Sequence, residues 1–147
     1  MTKKIVLGTA LFVFLSDQVV KAFVVNNNLA YHLNPAGILG LFGSSKLIIE
    51  MLAYISLILI IVFSLIAKIS STLEALAFGL LFGGGLGNLS DRLNHNGVID
   101  FLKFPVPLTK GQLNYNVADI AITSSVIIMV INFIQKNYAQ SKNYKSR

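Results

Sequence analysis

The sequence predicts an all-α integral membrane protein: four transmembrane helices, both termini cytoplasmic, and a small extracytoplasmic β-rich element from the first and second outer loops. Three observations carry this. The chain is 54% hydrophobic and only 12% charged, where a soluble domain carries roughly 25% charged residues. Its mean hydropathy is +0.71. Four of its apolar runs approach the roughly 20 residues that a helix needs to cross the hydrocarbon core. Water is a poor solvent for such a surface, so residues 1–147 are read as a single membrane domain.

The first span is IVLGTALFVFLSDQVVKAFVV, about residues 5–25. Lys3 and Lys4 precede it, as in a signal peptide. Asp17 and Lys21 interrupt the run, however, and no small-x-small cleavage site follows, so a retained anchor is expected. The first outer loop, about residues 26–46, mixes Asn, Gly and Pro with apolar residues, and short strands on the membrane surface are expected there. The second span, LIIEMLAYISLILIIVFSLIA, covers about residues 47–67, and AKISST is a short inner connector. The third, LEALAFGLLFGGGLGNL, covers about residues 73–89, and its glycines let another backbone come close. The second outer loop, about residues 90–116, holds most of the polar groups fit for chemistry. Its GVIDFLKF alternates like a short strand. The fourth span, VADIAITSSVIIMVINFIQ, covers about residues 117–135.

Orientation follows from lysine and arginine near span ends. Lys3, Lys4, Lys68, Lys136, Lys142, Lys145 and Arg147 fall on the side of the termini; Lys46, Arg92, Lys103 and Lys110 fall on the other. The bias puts the termini in the cytoplasm. The net charge of +6 is thereby explained by topology and anionic headgroups. No arginine cluster interleaved with aromatics points to nucleic acid. The absence of cysteine excludes disulfides, thiolate metal sites and a cysteine nucleophile.

Ionisable groups at membrane depth are costly, so each of the six acids calls for a partner. Asp17 and Lys21, four apart, share a helix face. An ion pair is the favoured reading over a proton relay. Glu50 and Glu74 lie near span ends and are read as interfacial. In GGGLGNLSDRL, Asn88 and Arg92 are four apart and share a face, while Asp91 and Arg92 could pair to end the helix. Asp119 could be a first-turn acid stabilised by the helix dipole by about 0.3–1 kcal/mol. A sharper account pairs it with Asp100, which the strand-then-helix return brings to the same outer face. Two carboxylates forced together share one proton, so one can act as base on a water while the other polarises a carbonyl. His32 and His95 lack the helical pairing of a zinc protease and are read as surface or interfacial residues. No serine sits in a nucleophile motif.

SDQVVK in the first span, GNLSDR after the glycines, GVIDF, and YNVAD opening the last span occur in an order and spacing that resembles the bacterial lipoprotein signal peptidase (signal peptidase II) family. The resemblance implies a membrane aspartyl endopeptidase with four helices and a small extracytoplasmic sheet. Such an enzyme removes signal peptides from prolipoproteins, cutting before a diacylglyceryl-modified cysteine. It implies a catalytic pair at Asp100 and Asp119. Substrate contacts are implied at Asn34, Asn88, Arg92 and Asn116, with Asp17, Lys21 and Asp91 in support. Neither a metal nor an organic cofactor is expected. The implied partners are lipidated prolipoproteins and membrane lipids, the implied location is the bacterial cytoplasmic membrane with the site facing outward, and a monomer suffices. The first outer loop departs from the family pattern. In NPAGILGLFG, Gly37 follows the matching Asn34 one residue late, and Leu39 or Phe42 stands where an aromatic is usual.

The rival reading is a non-enzymatic small membrane transporter or an assembly factor with intramembrane acids. A transporter wants its acids near the midplane, often at broken helices, whereas proteolysis needs two carboxyls close together near the outer boundary.

Overall fold

The computed structural model describes residues 2–35, 69–105 and 112–145, with isolated helical positions between Ile48 and Val62. Most of the expected second span and the altered part of the first outer loop lie outside the described residues.

Three helices carry the described fold: α1 (Thr2–Asn26), α2 (Thr72–His95) and α3 (Val117–Lys145). Each contains a stretch long and apolar enough to cross a membrane: Thr2–Asn26, Thr72–His95 and Val117–Ala139. Many of their large apolar side chains point outward. Leu7 and Phe12 are each 71% exposed and Phe133 67%, which suits a surface that faces lipid. The helix α2 is the central one, with half of its span buried.

Glycine makes that central position possible. A Cβ at Gly79 would lie 2.5 Å from Thr9 Cβ, one at Gly83 2.5 Å from the Ala10 carbonyl oxygen, and one at Gly84 2.6 Å from that of Ala118. The backbones therefore touch, α1 on one side of α2 and α3 on the other, where packing rather than hydrophobicity drives association. Contacts advance in step along α1 and α2, from Thr9 against Gly79 to Asp17 against Gly87, so these two helices run parallel. The pairing of Gly84 with Ala118 and of Glu74 with Asn132 makes α3 antiparallel to α2.

At its start α2 has a capping box. Ser71 Oγ accepts from the Glu74 N–H (3.1 Å), and Glu74 Oε2 accepts from the Ser71 N–H (3.3 Å). Glu74 also accepts from Asn132 and Lys136 of α3. The helix stops at Asn96, whose φ of 58° is left-handed.

The helical boundaries differ from expectation in one informative way. The third span was expected to end near Leu89, but α2 continues through Asp91 and Arg92 to His95. These polar turns look like loop by hydropathy, yet Asn88 and Asp91 are buried against other elements rather than lipid. Asp91 does not end the helix with Arg92; it pairs with Lys21. The last helix likewise continues past Gln135.

Among the described residues, four short strands follow the outer-loop expectation: β1 (His32–Asn34), β2 (Val98–Asp100), β3 (Leu102–Pro105) and β4 (Gln112–Tyr115). β1 pairs antiparallel with β2, placing His32 opposite Asp100 and Asn34 opposite Val98. β3 pairs antiparallel with β4. The Phe101 N–H donates to the Tyr115 carbonyl (3.0 Å), joining the two ladders.

Candidate active site

The expected site residues meet at the end of the bundle away from both termini. Their foundation is a buried charge cluster. Lys21 Nζ lies 2.6 Å from Asp17 Oδ2 and 2.8 Å from Asp91 Oδ2, and all three side chains are at most 2% exposed. A buried cation between two carboxylates is tolerable only if the remaining oxygens are satisfied. They are: Asp17 Oδ1 accepts from the Ala118 N–H at 2.9 Å and Asp91 Oδ1 from the Gln18 amide at 3.1 Å, while Asp91 Oδ2 also accepts from the Ile99 N–H at 3.0 Å. Thus Asp17 fixes the start of α3 and Asp91 fixes β2, the two elements that carry Asp119 and Asp100.

Next comes an amide layer. Lys21 also donates to Asn88 Oδ1 (3.3 Å), which turns the Asn88 amide nitrogen toward Asp119 Oδ1 at 2.8 Å. Asn116 is the N-cap of α3. Its Oδ1 accepts from the Asp119 N–H at 2.8 Å, and Asp119 Oδ2 accepts from the Asn116 N–H at 3.3 Å. That reciprocal pair is a capping box with Asp in place of Glu. The remaining Asn116 group, Nδ2, donates to Asp100 Oδ1 at 2.8 Å and to Asn88 Oδ1 at 3.1 Å. Asn34 Nδ2 donates to the other Asp100 oxygen at 3.1 Å. The two acids are therefore held by one asparagine, though they come from a strand and a helix.

Both acids line a single cleft of about 510 Å³, with Asn34, Asn88 and Arg92 among its other walls. Burial, with a smaller contribution from the charge of Asp119, pushes the Asp100 carboxyl up to about 6 against the hydrogen bond from Asn34. A pair so placed suits a shared proton: one carboxylate to take a proton from water, one carboxyl to donate to a carbonyl oxygen.

The comparisons decide the family. A family profile described as Signal peptidase (SPase) II matches residues 9–135. The chain belongs to the signal peptidase II family. It is 30% identical to a lipoprotein signal peptidase of Syntrophus aciditrophicus, over 90% of this chain and 94% of that protein. It is 32% identical to one of Desulforapulum autotrophicum, over 89% of this chain and 82% of the relative. In fold it is similar to a bacterial membrane enzyme solved by the in meso method at 2.3 Å, with a TM-score of 0.75 at 23% identity over 90% of this chain and 88% of the other. Signal peptidase II is an aspartic endopeptidase of the membrane, and this chain is one.

All the expected site residues are thus found in one region: Asp100, Asp119, Asn34, Asn88 and Arg92 on the cleft, Asn116 buried between the acids, and Asp17, Lys21 and Asp91 beneath. Two participants were not foreseen. Gln18 donates to Asp91 Oδ1 at 3.1 Å and to the Gly87 carbonyl at 3.3 Å; it is adjacent to Asp17 in SDQVVK, but nothing in its type marks it. His32, read from sequence as a surface or interfacial residue, is exposed but lines the cleft. The capping role of Asn116 had a signal, the spacing Asn-x-x-Asp just before an apolar run.

Proposed function

We propose that this signal peptidase II cleaves diacylglyceryl-modified prolipoproteins just before the lipidated cysteine, with Asp100 and Asp119 as its catalytic pair. One acid, ionised, takes a proton from a water as the water oxygen attacks the scissile carbonyl carbon. The other, protonated, donates to the carbonyl oxygen as charge develops on it. Collapse of the tetrahedral intermediate breaks the C–N bond, and the cysteine's amino group leaves with a proton. The reading rests above all on Asn116, which bonds both acids and so keeps them at one cleft. Asn34 and Arg92 orient the substrate backbone from the cleft wall. Asn88 and Asn116, also assigned to the substrate, act on it through the acids they hold.

The same reading includes four spans, cytoplasmic termini and a site at the outer face of the bacterial cytoplasmic membrane, worked by a monomer. Parallel α1 and α2 support the fourth span, because the chain between them must return across the whole bundle. The lysine and arginine bias supports the orientation. The substrate's signal helix would lie among the spans with its acyl chains in lipid. An acid pair at the bundle end, rather than at the middle of a broken helix, favours proteolysis over transport.

The test is cleavage of a lipidated and a non-lipidated precursor by purified protein, wild type against Asp119→Asn. Cleavage of the lipidated precursor only, lost in the variant, is expected. Undiminished cleavage by Asp119→Asn removes that acid from catalysis.

A further inference from the structure

We propose that Gln18 is a positioning residue for the acid pair: its side-chain amide clamps Asp17 and Asp91 together, and through them holds Asp119 and Asp100 in their working places. The inference rests on the catalytic reading of Asp100 and Asp119.

Each acid of the pair is anchored through the peptide N–H of the residue just before it. The Ile99 N–H, before Asp100, donates to Asp91 Oδ2 at 3.0 Å, and the Ala118 N–H, before Asp119, donates to Asp17 Oδ1 at 2.9 Å. Where these two buried carboxylates point therefore decides where the catalytic acids stand. Lys21 joins them once, lying 2.6 Å from Asp17 Oδ2 and 2.8 Å from Asp91 Oδ2. Gln18 joins them a second time. Its Nε2 donates to Asp91 Oδ1 at 3.1 Å, to Asp17 Oδ2 at 3.2 Å and to the Gly87 carbonyl at 3.3 Å, so two hydrogens serve three oxygens. Among the described residues Gln18 alone donates a hydrogen bond to Asp91 Oδ1. The torsion that turns an aspartate carboxylate is broad. Contacts on Oδ2 alone leave Asp91 able to swing, and a donor on Oδ1 as well fixes its plane.

The amide is itself held in one sense. Ser90 Oγ donates to Gln18 Oε1 at 3.2 Å, and Asn94 Nδ2 donates to Ser90 Oγ at 3.3 Å. Reversing the amide would set Oε1 against two carboxylates. Gln18 is half-buried and stands outside the cleft wall, so it touches neither substrate nor the reacting atoms. Its influence falls on the chemical step, through the placement of the acids, and not on substrate binding.

The experiment measures kcat and KM on a lipidated precursor for wild type, Gln18→Met and Ser90→Ala. Rates are taken per mole of folded protein, at a temperature below the unfolding of each, with Asp119→Asn as the inactive control. Gln18→Met keeps the length and removes the amide. It should lower kcat about tenfold with KM within about twofold of wild type, short of the hundredfold that a misplacement of about 1 Å can cost. Ser90→Ala keeps the Nε2 donors and frees Oε1, so a fall in kcat of about threefold, the lower range for one hydrogen bond, is expected at unchanged KM. Wild-type kcat in Gln18→Met would overturn the role, as would fewer folded molecules of wild-type kcat or a raised KM at constant kcat. Should Gln18→Met fail to fold, Ser90→Ala decides, and wild-type kcat there overturns the role. An Asp119→Asn control as active as wild type would remove the catalytic pair, and the role of Gln18 with it; an inactive control beside a fully active Gln18→Met overturns the role of Gln18 alone.

Discussion

Asn116 Nδ2 donates to Asp100 Oδ1 at 2.8 Å, across 16 residues of chain that include the strands β3 and β4. The same asparagine caps the helix that carries Asp119. Helix start and catalytic geometry are therefore one structure, and two substitutions should take them apart. Asn116→Ser keeps an N-cap oxygen, for which Ser and Asn are nearly equal, but is too short to reach Asp100. It should cost at least tenfold in kcat/KM, about 1.4 kcal/mol, with a smaller loss of thermal stability than Asn116→Ala. Equal activity of the Ser variant and wild type would show that the bridge to Asp100 is dispensable.

Burial holds Asp100 up at about 6, above the ordinary carboxylate value of 3.8. For an acid raised in this way the folded state binds the extra proton. Its contribution to stability is therefore complete below the unfolded value and is lost as pH rises through about 6. The linked free energy is on the order of 2–3 kcal/mol. Asp100→Asn removes that dependence. Thermal unfolding in detergent should show the variant gaining on wild type between about pH 4 and pH 7. A constant difference between the two would contradict the raised value.

The helices and the acids worth watching were legible because both obey local rules. A run of apolar residues predicts a span, and acids inside or beside it call for explanation. Asp17 and Lys21 also followed from spacing, being four apart on one helix. What was hidden depends on tertiary contact. Nothing local ties Lys21 to Asp91, 70 residues later, yet they lie 2.8 Å apart. The polar end of α2 looked like loop because hydropathy registers only the lipid-facing kind of burial, whereas Asn88 and Asp91 are buried by protein. His32 is exposed, as its sequence reading had it, but three-residue strands carry too little alternation to set a register, and register alone puts it opposite Asp100.

Lys21 balances two buried carboxylates, so its removal should be severe. Lys21→Met keeps the bulk and deletes the charge, leaving Asp17 and Asp91 facing each other without a cation. Breaking such a pair typically costs about 3–5 kcal/mol. The cost should fall on the start of α3 and on β2, because Asp17 and Asp91 hold their N–H groups. The expected result is little folded protein in membranes. Adding Asp91→Asn to Lys21→Met should recover part of it by lowering the uncompensated charge. Normal accumulation and heat resistance of Lys21→Met would show that the cluster is not structural.

The glycines of α2 give a graded test of how the bundle is held. Gly83 and Gly85 are two residues apart on one helix, with the same propensity gain from a change to alanine. They differ in what a Cβ would meet. At Gly83 it would fall 2.5 Å from the Ala10 carbonyl oxygen and 2.7 Å from Val13 Cβ, both parts that cannot turn aside. At Gly85 its nearest neighbour is Leu57 Cδ1 at 3.9 Å, an ordinary contact. Gly83→Ala must therefore push α1 away, an overpacking cost of about 1–3 kcal/mol. Because Asp17 and Lys21 ride on α1, the shift should also loosen the site and lower activity. Gly85→Ala should be neutral or stabilising, since alanine is the better helix former by about 1 kcal/mol. Unfolding temperature and kcat/KM measured on both variants decide the matter, and equal behaviour of the two would mean that α1 and α2 are not in backbone contact.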